Sequence, residues 1–531
     1  MQKRTFLILV TGFLVVVGFL PVLSMLLKSV LQNGRFTFSA YHDVLNSTRQ
    51  WTLMKHSFTL AMLVTVLTTL VGVPLGILLG KTDFPLRRFF IFLFVIPLLL
   101  PPYITAVSWF DLLGHEGLLA PLMGDALTRQ IGRWLFGLPG CTFVLSSVFL
   151  PVPMILTTVF LRTVNPRLEE AARLAAGWGR VLKEITLPLI LPGILLSALL
   201  VFLLTFGEFG VPNFLRYDVF PVESFTQFSA FYNFQAATAA AMPMAVITFL
   251  ALLIEDIFLR DRTYQLQSAS DGHQPMRIPL GRKQIWPGIG VTLMALLIVV
   301  IPLAALVIKS AGWPVYVRAL RQAGGSLGRS MVYAVFGATL LTALGFFTGY
   351  LVQTRALKIW RSVDSLTVFL FALPGTVIGI GLISLWNTPW TNFIYATPII
   401  ILLGYLAKYT VLTSRITVTQ LAQIPSSMEE AAQMTGAGWL RRVIFIVMPL
   451  AKRGLLAAWL VGYIFSLRDT AITMLVYPAG HDTLPVRIFT LMANGSQELI
   501  AALSVILILT TLVPVGLLSL LPMFKKREIL A

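Results

Sequence analysis

Long apolar runs, separated by short polar segments, make up most of this chain. Twelve of them are at least as long as the roughly 20 residues that a helix needs to cross a bilayer. They do not alternate polar and apolar positions as membrane barrel strands do, so helices are predicted. The runs are residues 6–27, 57–80, 89–110, 140–161, 186–207, 234–254, 285–308, 331–354, 365–390, 392–413, 454–477 and 499–524. The pattern predicts an all-α polytopic membrane protein with about twelve transmembrane helices, six in each half.

Composition supports this fold class. The 531 residues are 57% hydrophobic and only 12% charged, a balance that soluble domains of this size do not show. The first run follows Lys3 and Arg4 as in a signal peptide, but its length and the lack of a small-residue cleavage site favour a retained helix. The single cysteine, Cys141, excludes an intrachain disulfide and a cysteine metal cluster.

The formal net charge of +18 is distributed unevenly along the chain. If the N-terminus is cytoplasmic, most of the 40 lysines and arginines fall on cytoplasmic segments, as the positive-inside rule requires. We therefore expect both termini in the cytoplasm. The basic residues orient the protein in the bilayer, and no nucleic-acid partner is expected.

One peptide occurs twice, as EEAARLAAGW at 169–178 and as EEAAQMTGAGW at 429–439. Smaller matches accompany it, including the glycines of the second run in each half, Gly72 with Gly76 and Gly345 with Gly349. These glycines predict close helix packing and no further function. The segment 114–137 is predicted to hold about twelve residues that the second half lacks.

The repeat predicts three parts of the chain. They are a first unit of six helices at 1–260, a polar cytoplasmic linker at 261–284 and a second unit of six helices at 285–531. Because six is even, the two halves run parallel, related by a pseudo-two-fold axis along the membrane normal.

The repeated peptides lie in cytoplasmic loops, 168–188 and 428–449. Each is predicted to form a short helix with an acidic first turn, a shallow alanine face and a glycine that turns the chain. Pro188 and Pro449 then begin the next span, where a missing N–H is tolerated. We expect two docking surfaces for a two-fold partner, formed by Glu170, Ala171, Ala172, Gly177, Glu430, Ala431, Ala432 and Gly436.

These loops resemble the EAA signature of permease subunits of ATP-binding-cassette importers that work with an extracytoplasmic binding protein. The second copy matches the signature at Glu430, Gly436 and Pro449, whereas the first is one residue short and has Ala176 at the expected glycine position. Two fused permease units look most like the ferric-iron branch. Thiamine, polyamine and phosphonate permeases are the alternatives within the same machinery.

The resemblance implies a type I permease fold in a bacterial cytoplasmic (inner) membrane. It also implies that this chain is not an enzyme and holds no cofactor, because two copies of a separate ATPase subunit bind ATP and Mg. Residues 76–82 imitate a phosphate-binding loop, but the glycine spacing is one short and no strand precedes them. Lys81 is therefore interpreted as a positive-inside lysine.

Charged residues interrupt a few of the apolar runs. Glu208 and Asp469 occupy matching positions after the signature, and Arg468 precedes Asp469. Intramembrane charges are costly and usually face a partner or a watery path. Two interpretations stay open for these three residues: an interfacial pair that reaches water, or a polar patch that lines the translocation pathway. Lys408 is expected to snorkel toward the inner face.

Two other classes of protein fit less well. An ion-coupled secondary transporter with duplicated halves would explain the helix count but not the repeated cytoplasmic loop. A membrane enzyme would need clustered His, Asp or Glu, and the five histidines are scattered.

Overall fold

The structure is a computed structural model that describes residues 3–32, 35–115, 117–231, 234–258 and 276–520. Within these ranges the regular structure is helical, apart from one antiparallel pair of two-residue strands, Leu31–Gln32 and Arg35–Phe36. Ten helices in the described residues are long and apolar enough to cross a membrane, or twelve if each of two bent pairs counts as one span. The predicted fold class and span number are confirmed. Most of the predicted linker, 261–275, lies outside the described residues.

The chain divides into two compact units. The first unit comprises Met1–Asn46, Ser224–Met242 and Gly312–Ala531, and the second comprises Ser47–Glu223 and Pro243–Ala311. The first helix of each predicted repeat therefore belongs to the unit that holds most of the other repeat. This assignment concerns packing, and the repeat boundaries read from sequence stay a prediction.

The first unit begins with a helical span from Lys3 to Val30. Its later helices are Ser39–Asn46, Trp313–Thr354, Trp360–Ala372, Gly375–Trp386, Asn392–Tyr395, Ile399–Leu421, Ser426–Met434, Trp439–Arg442, Met448–Arg468, Thr473–Val476, Leu484–Asn494 and Gln497–Leu520.

The second unit begins with the 34-residue helix Thr48–Lys81. Its other helices are Arg87–Leu99, Pro102–Leu113, Ala120–Leu135, Leu138–Phe149, Pro151–Leu161, Pro166–Ala175, Trp178–Val181, Leu187–Phe206, Gly210–Phe214, Gly281–Gln284, Ile285–Ala295 and Ile301–Lys309. Helices Phe220–Ser229 and Phe234–Phe258 each contain residues of both units.

Five-residue π turns interrupt the spans at matching places. One pair is Leu182–Thr186 and Val443–Val447, and the other is Val15–Phe19 and Leu296–Val300. π turns are rare and often mark functional sites. The first pair lies directly after the repeated peptide in each half, which is what a duplicated unit would produce.

The glycines of the long second helix of each repeat pack as predicted. A Cβ atom on Gly76 would lie 2.6 Å from the carbonyl oxygen of Met154, and one on Gly349 would lie 2.7 Å from that of Ser414. In both units the backbones approach so closely that no side chain fits between them.

The third apolar run of each half is not one straight span. It forms Arg87–Leu99 and Pro102–Leu113, bent by 98°, in the second unit, and Trp360–Ala372 and Gly375–Trp386, bent by 108°, in the first unit. The bends fall at Leu100-Pro101 and Leu373-Pro374, since proline excludes the helical conformation in the residue before it.

Two other predictions need correction or extension. The apolar run 454–477 predicts one span, but the helix extends from Trp439 to Arg468, because residues 443–451 are apolar as well and Lys452 and Arg453 interrupt the run without ending the helix. The segment 114–137 contains the helical residues Ala120–Leu135, which are kinked at Gly124 (φ +74°), whereas the corresponding segment of the second half contains only Asn392–Tyr395.

Candidate functional site

The first EAA helix is Pro166–Ala175. The side chain of Asn165 caps it by accepting a hydrogen bond from the N–H of Arg167 at 3.0 Å, and Pro166 occupies the first helical position. Glu170 and Ala171 are exposed, and Ala172 is half-buried. The surface expected to contact a partner is therefore accessible.

The second EAA helix is Ser426–Met434. Its Glu430 and Ala431 are exposed and Ala432 is half-buried, as in the first EAA helix. Each helix also ends on a large apolar side chain directed to solvent: Leu174 is 92% exposed and Met434 is 89% exposed. These two side chains occupy matching positions beside the exposed Glu-Ala-Ala face.

The two EAA helices end differently. Gly436 has φ +80°, a left-handed conformation that strongly favours glycine after a helix. In the first copy Ala176 is extended, with φ −144°, and Gly177 has φ −73°, which any residue adopts. The first copy is therefore one residue shorter in the region that follows its helix. There the carbonyl of Ala176 accepts a hydrogen bond from the side chain of Arg173 at 3.0 Å. Of Gly177 and Gly436, only Gly436 has a backbone conformation that favours glycine.

Glu169 anchors the first EAA helix inside the protein. Its carboxylate forms an ion pair with Lys81, and both side chains are 0% exposed. The other carboxylate oxygen accepts a hydrogen bond from the hydroxyl of Thr186 at 2.8 Å. The interpretation of Lys81 as an ordinary positive-inside lysine is therefore incomplete: it connects the end of Thr48–Lys81 to the EAA helix.

Glu429 occupies the matching position in the second EAA helix, with different neighbours. It accepts a hydrogen bond from the hydroxyl of Tyr350 at 2.8 Å, and Trp439 Nε1 donates to that hydroxyl at 3.1 Å. The Nε of Arg442 lies 3.8 Å from Glu429, whose side chain is 25% exposed. Lys3 lies over the Tyr350 ring, 4.8 Å from its centroid. This anchor is a hydrogen-bonded network in which Tyr350 and Trp439 are buried and Glu429 is partly exposed.

The end of the predicted linker is attached to the same region of the second unit. The N–H of Ile278 donates to the carbonyl of Lys81 at 2.9 Å, and the N–H of Asp83 donates to the carbonyl of Ile278 at 3.2 Å. Asp83 in turn accepts from the N–H of Leu280 at 2.8 Å. Residues 81–83 are therefore held by the EAA helix, through Lys81 and Glu169, and by residues 278–280.

Glu208 follows directly after the helix Leu187–Phe206, as its sequence position predicted. Its carboxylate accepts hydrogen bonds from the N–H groups of Gly210 at 2.9 Å and Val211 at 3.4 Å. It therefore caps the short helix Gly210–Phe214, whose N-terminal dipole favours a negative charge.

Asp469 follows the helix that ends at Arg468 and likewise caps the next short helix, Thr473–Val476. It is 4% exposed, and one oxygen accepts from both the N–H and the hydroxyl of Thr473 at 2.9 Å. The other oxygen accepts from the hydroxyl of Tyr409 at 2.7 Å. The guanidinium of Arg468 lies 4.9 Å from the centroid of the Phe465 ring.

Both acidic segments lie beside the break of a bent span. In the second unit, a Cβ on Gly210 would lie 3.2 Å from Glu208 and 3.3 Å from Tyr103. In the first unit, a Cβ on Gly375 would lie 2.7 Å from Ala471 and 3.3 Å from Nζ of Lys408. Lys408 is thus half-buried at the break rather than extended along the helix to its end, which corrects the expected snorkelling.

The comparison with known protein families follows from these features. The model of the family "Binding-protein-dependent transport system inner membrane component" matches residues 72–264 and 341–522, one segment for each half. The chain belongs to this family. Each matched segment contains one EAA helix, one bent span and one of the two acidic residues, Glu208 and Asp469. The family match therefore includes these features in both halves.

Similar proteins indicate where the chain lies in the family. The putative ferric transport system permease protein FbpB 1 of Haemophilus influenzae is 24% identical over 425 residues, 74% of this chain and 65% of that protein. The Fe(3+)-transport system permease protein FbpB 2 of the same species is 22% identical over 96% of this chain and 97% of its own length. The spermidine/putrescine transport system permease protein PotC of H. influenzae is 26% identical over 34% of this chain. The chain thus spans slightly less than two thirds of FbpB 1.

Sequence reasoning located both EAA helices but missed what holds them. The signature marks Glu170 and Glu430, whereas the glutamates that anchor the helices are the preceding ones, the buried Glu169 and the partly exposed Glu429. A doubled glutamate in a short helix was the available signal, because adjacent positions lie about 100° apart and only one can face inward. The partners Lys81 and Tyr350 come from distant segments, and no local pattern identifies them.

Proposed function

We propose that this chain is the permease subunit of an ATP-binding-cassette importer in a bacterial inner membrane, with both termini and both EAA helices in the cytoplasm. One observation carries the proposal: the same short helix occurs twice, each time with an exposed Glu-Ala-Ala face and a neighbouring glutamate fixed to a membrane helix. A loop that served only as a connection would not need this arrangement in both halves.

The energy source is a separate pair of ATPase subunits, each docked on one EAA helix. Glu170, Ala171 and Ala172 supply the first contact surface, and Glu430, Ala431 and Ala432 supply the second. The turns at Gly177 and Gly436 complete these surfaces. ATP and Mg bind to the partner subunits, and closure of the pair moves the EAA helices.

The cargo is a solute delivered by an extracytoplasmic binding protein, and ferric iron is the first candidate. The relatives that align over most of this chain carry ferric transport in their names, whereas the similarity to the polyamine permease covers about a third of it. A polyamine is the second candidate. Thiamine and phosphonate follow, because the EAA signature does not distinguish between these cargoes.

Glu208, Arg468 and Asp469 belong to the pathway in this proposal. The support is the place of the Glu208 and Asp469 segments beside the breaks in the bent spans, where backbone groups freed from the helix need polar neighbours, and Arg468 directly precedes Asp469. Substitution by Gln and Asn, which keep one oxygen for the capping hydrogen bonds, should leave the fold intact and reduce uptake. Unchanged uptake in the Glu208→Gln, Asp469→Asn double variant would assign them to capping alone.

Reconstituted transport tests the proposal. The permease, its ATPase and its binding protein are placed in proteoliposomes with ATP inside, and ionophores collapse the ion gradients. We expect uptake of the cargo to continue, to need ATP and to stop in the Glu430→Ala, Gly436→Ala double variant while hydrolysis persists. Uptake that stops when the gradient collapses, despite ATP, would favour an ion-coupled secondary transporter.

The cargo is identified separately. The binding protein is purified without added ligand, and its bound solute is measured by metal analysis and mass spectrometry. Bound ferric iron would support the first candidate, and a bound polyamine would support the second. Neither result alters the test of the energy source.

A further inference from the structure

We propose that the two EAA helices are coupled unequally to the membrane helices: the first moves as one body with Thr48–Lys81, whereas the second can turn relative to Trp313–Thr354. Lys81 and Glu169 are then positioning residues that transmit the partner's motion in one half. The inference rests on the proposed function, because it assigns a task to the EAA helices within ATP-driven transport.

Burial restrains the first EAA helix. Lys81 and Glu169 are both 0% exposed, and Thr186 satisfies the second oxygen of the carboxylate. Separating the EAA helix from the end of Thr48–Lys81 would leave two unpaired charges without water, which is strongly unfavourable. The contact therefore has only one accessible arrangement.

The matching site in the second half differs in its exposure and in its partners. Glu429 is a quarter exposed, its hydrogen-bond partner is the neutral hydroxyl of Tyr350, and Arg442 Nε lies 3.8 Å away, beyond hydrogen-bond distance. Tyr350 and Trp439 are buried, but the carboxylate of Glu429 is partly accessible, so water can replace its contact with Arg442 as the helix moves. The free energy lost when the EAA helix is displaced is therefore smaller in the second half.

The turns that follow the two EAA helices differ in length. The first EAA helix is followed by only two residues, Ala176 and Gly177, before the helix Trp178–Val181 begins. The second is followed by four, Thr435 to Gly438, including the left-handed Gly436. The shorter turn further restricts the motion of the first EAA helix, as the buried ion pair also does.

Distance measurements in the assembled transporter test this difference directly. Spin labels are placed on matched exposed positions, Leu70 with Leu174 in one sample and Ala343 with Met434 in another. The only native cysteine, Cys141, is buried and is replaced by serine. Electron paramagnetic resonance then gives each distance distribution without nucleotide and with ATP trapped by vanadate.

We expect the Leu70–Leu174 distribution to keep its mean and width in both states, and the Ala343–Met434 distribution to shift or broaden with ATP. Equal changes in the two pairs would overturn the inference while leaving the proposed function intact. If the ATPase does not associate and neither pair responds to nucleotide, the proposed function itself fails.

Substitutions then test whether the ion pair causes the rigidity. Lys81→Met should make the first pair respond to ATP and should lower the uptake per ATP hydrolysed. Charge reversal in the Lys81→Glu, Glu169→Lys double variant should restore both. The exposed pair Arg180 and Glu184, 3.0 Å apart in the same loop, supplies the control, and Arg180→Ala should change neither quantity.

A purely structural ion pair would give a different result. In that case Lys81→Met would lower the amount of assembled complex, but the complex that forms would keep its uptake per ATP. That outcome would contradict a positioning role. If Lys81→Met does not assemble at all, the labelled chain with native Lys81 still decides between unequal and equal coupling.

Discussion

Two glutamates at matching positions in the EAA helices are held with different strengths. Glu169 is in a fully buried ion pair, whereas Glu429 is partly exposed in a hydrogen-bonded network. Sequence identity predicts the same helix at both places but not the same anchor, because the partners come from the second helix of each repeat. Lys81 and Tyr350 therefore determine how strongly each EAA helix is held.

The buried ion pair leads to a stability prediction. Lys81→Met removes one partner and leaves the Glu169 carboxylate uncompensated, so unfolding should become easier by about 3–5 kcal/mol. Thermal unfolding of the protein in nanodiscs measures this effect. The matched variant Arg180→Ala, in an exposed pair, should change stability by no more than about 1 kcal/mol. Equal effects of the two substitutions would show that burial does not set the strength of the contact.

The glycines after the EAA helices lead to a second prediction. Gly436→Ala places a side chain at φ +80°, which costs roughly 1–2 kcal/mol, whereas Gly177→Ala at φ −73° introduces no such strain. Hydrogen exchange of the two loops should show faster local opening for Gly436→Ala only. Faster opening for Gly177→Ala of the same size would contradict the difference between the two turns.

At the scale of helices, hydrophobic runs predicted most spans, and the exceptions have physical causes. The third run of each half bends at Leu-Pro, which run length does not reveal because the apolar residues continue through the bend. The helix Trp439–Arg468 begins before its predicted run because Lys452 and Arg453 interrupt the apolar sequence without ending the helix. The helix Ala120–Leu135 was missed, since its mixed composition gives no continuous run.

Close helix packing leads to a prediction with an internal control. On the 42-residue helix Trp313–Thr354, a Cβ at Gly349 meets the carbonyl of Ser414 at 2.7 Å, whereas a Cβ at Gly328 meets nothing within 4 Å. Gly349→Ala should therefore destabilise the protein by about 1–3 kcal/mol. Gly328→Ala should be neutral or stabilising by up to about 1 kcal/mol. Thermal unfolding of both variants compares them, and a neutral Gly349→Ala would contradict the packing.

For the whole molecule, the compact units do not follow the order of the chain. The first helix of each repeat packs in the unit that contains most of the other repeat, an exchange that the sequence repeat alone does not show. The repeat predicts which helices correspond, but packing partners depend on contacts between distant segments. Continuity of the chain is therefore a poor guide to the folding units.

This exchange predicts how a divided chain behaves. If the chain is cut within 261–275, neither half contains a complete compact unit, so each half expressed alone should be unstable in the membrane. The two halves expressed together should assemble and give a monodisperse complex in size-exclusion chromatography. A monodisperse and equally stable half, expressed alone, would contradict this organisation.

Photo-crosslinking from the EAA helices tests the central claim most directly. A photoreactive amino acid replaces Leu174 or Met434, the exposed apolar residues at the ends of the EAA helices. The control is Trp390, which is 89% exposed and ends the ninth apolar run, a position that is extracytoplasmic if the N-terminus is cytoplasmic and each run crosses the membrane once. After irradiation of intact cells, mass spectrometry identifies the crosslinked protein. We expect an ATP-binding-cassette ATPase from positions 174 and 434 and none from position 390. The absence of an ATPase at both EAA positions, in cells that transport the cargo, would contradict the account.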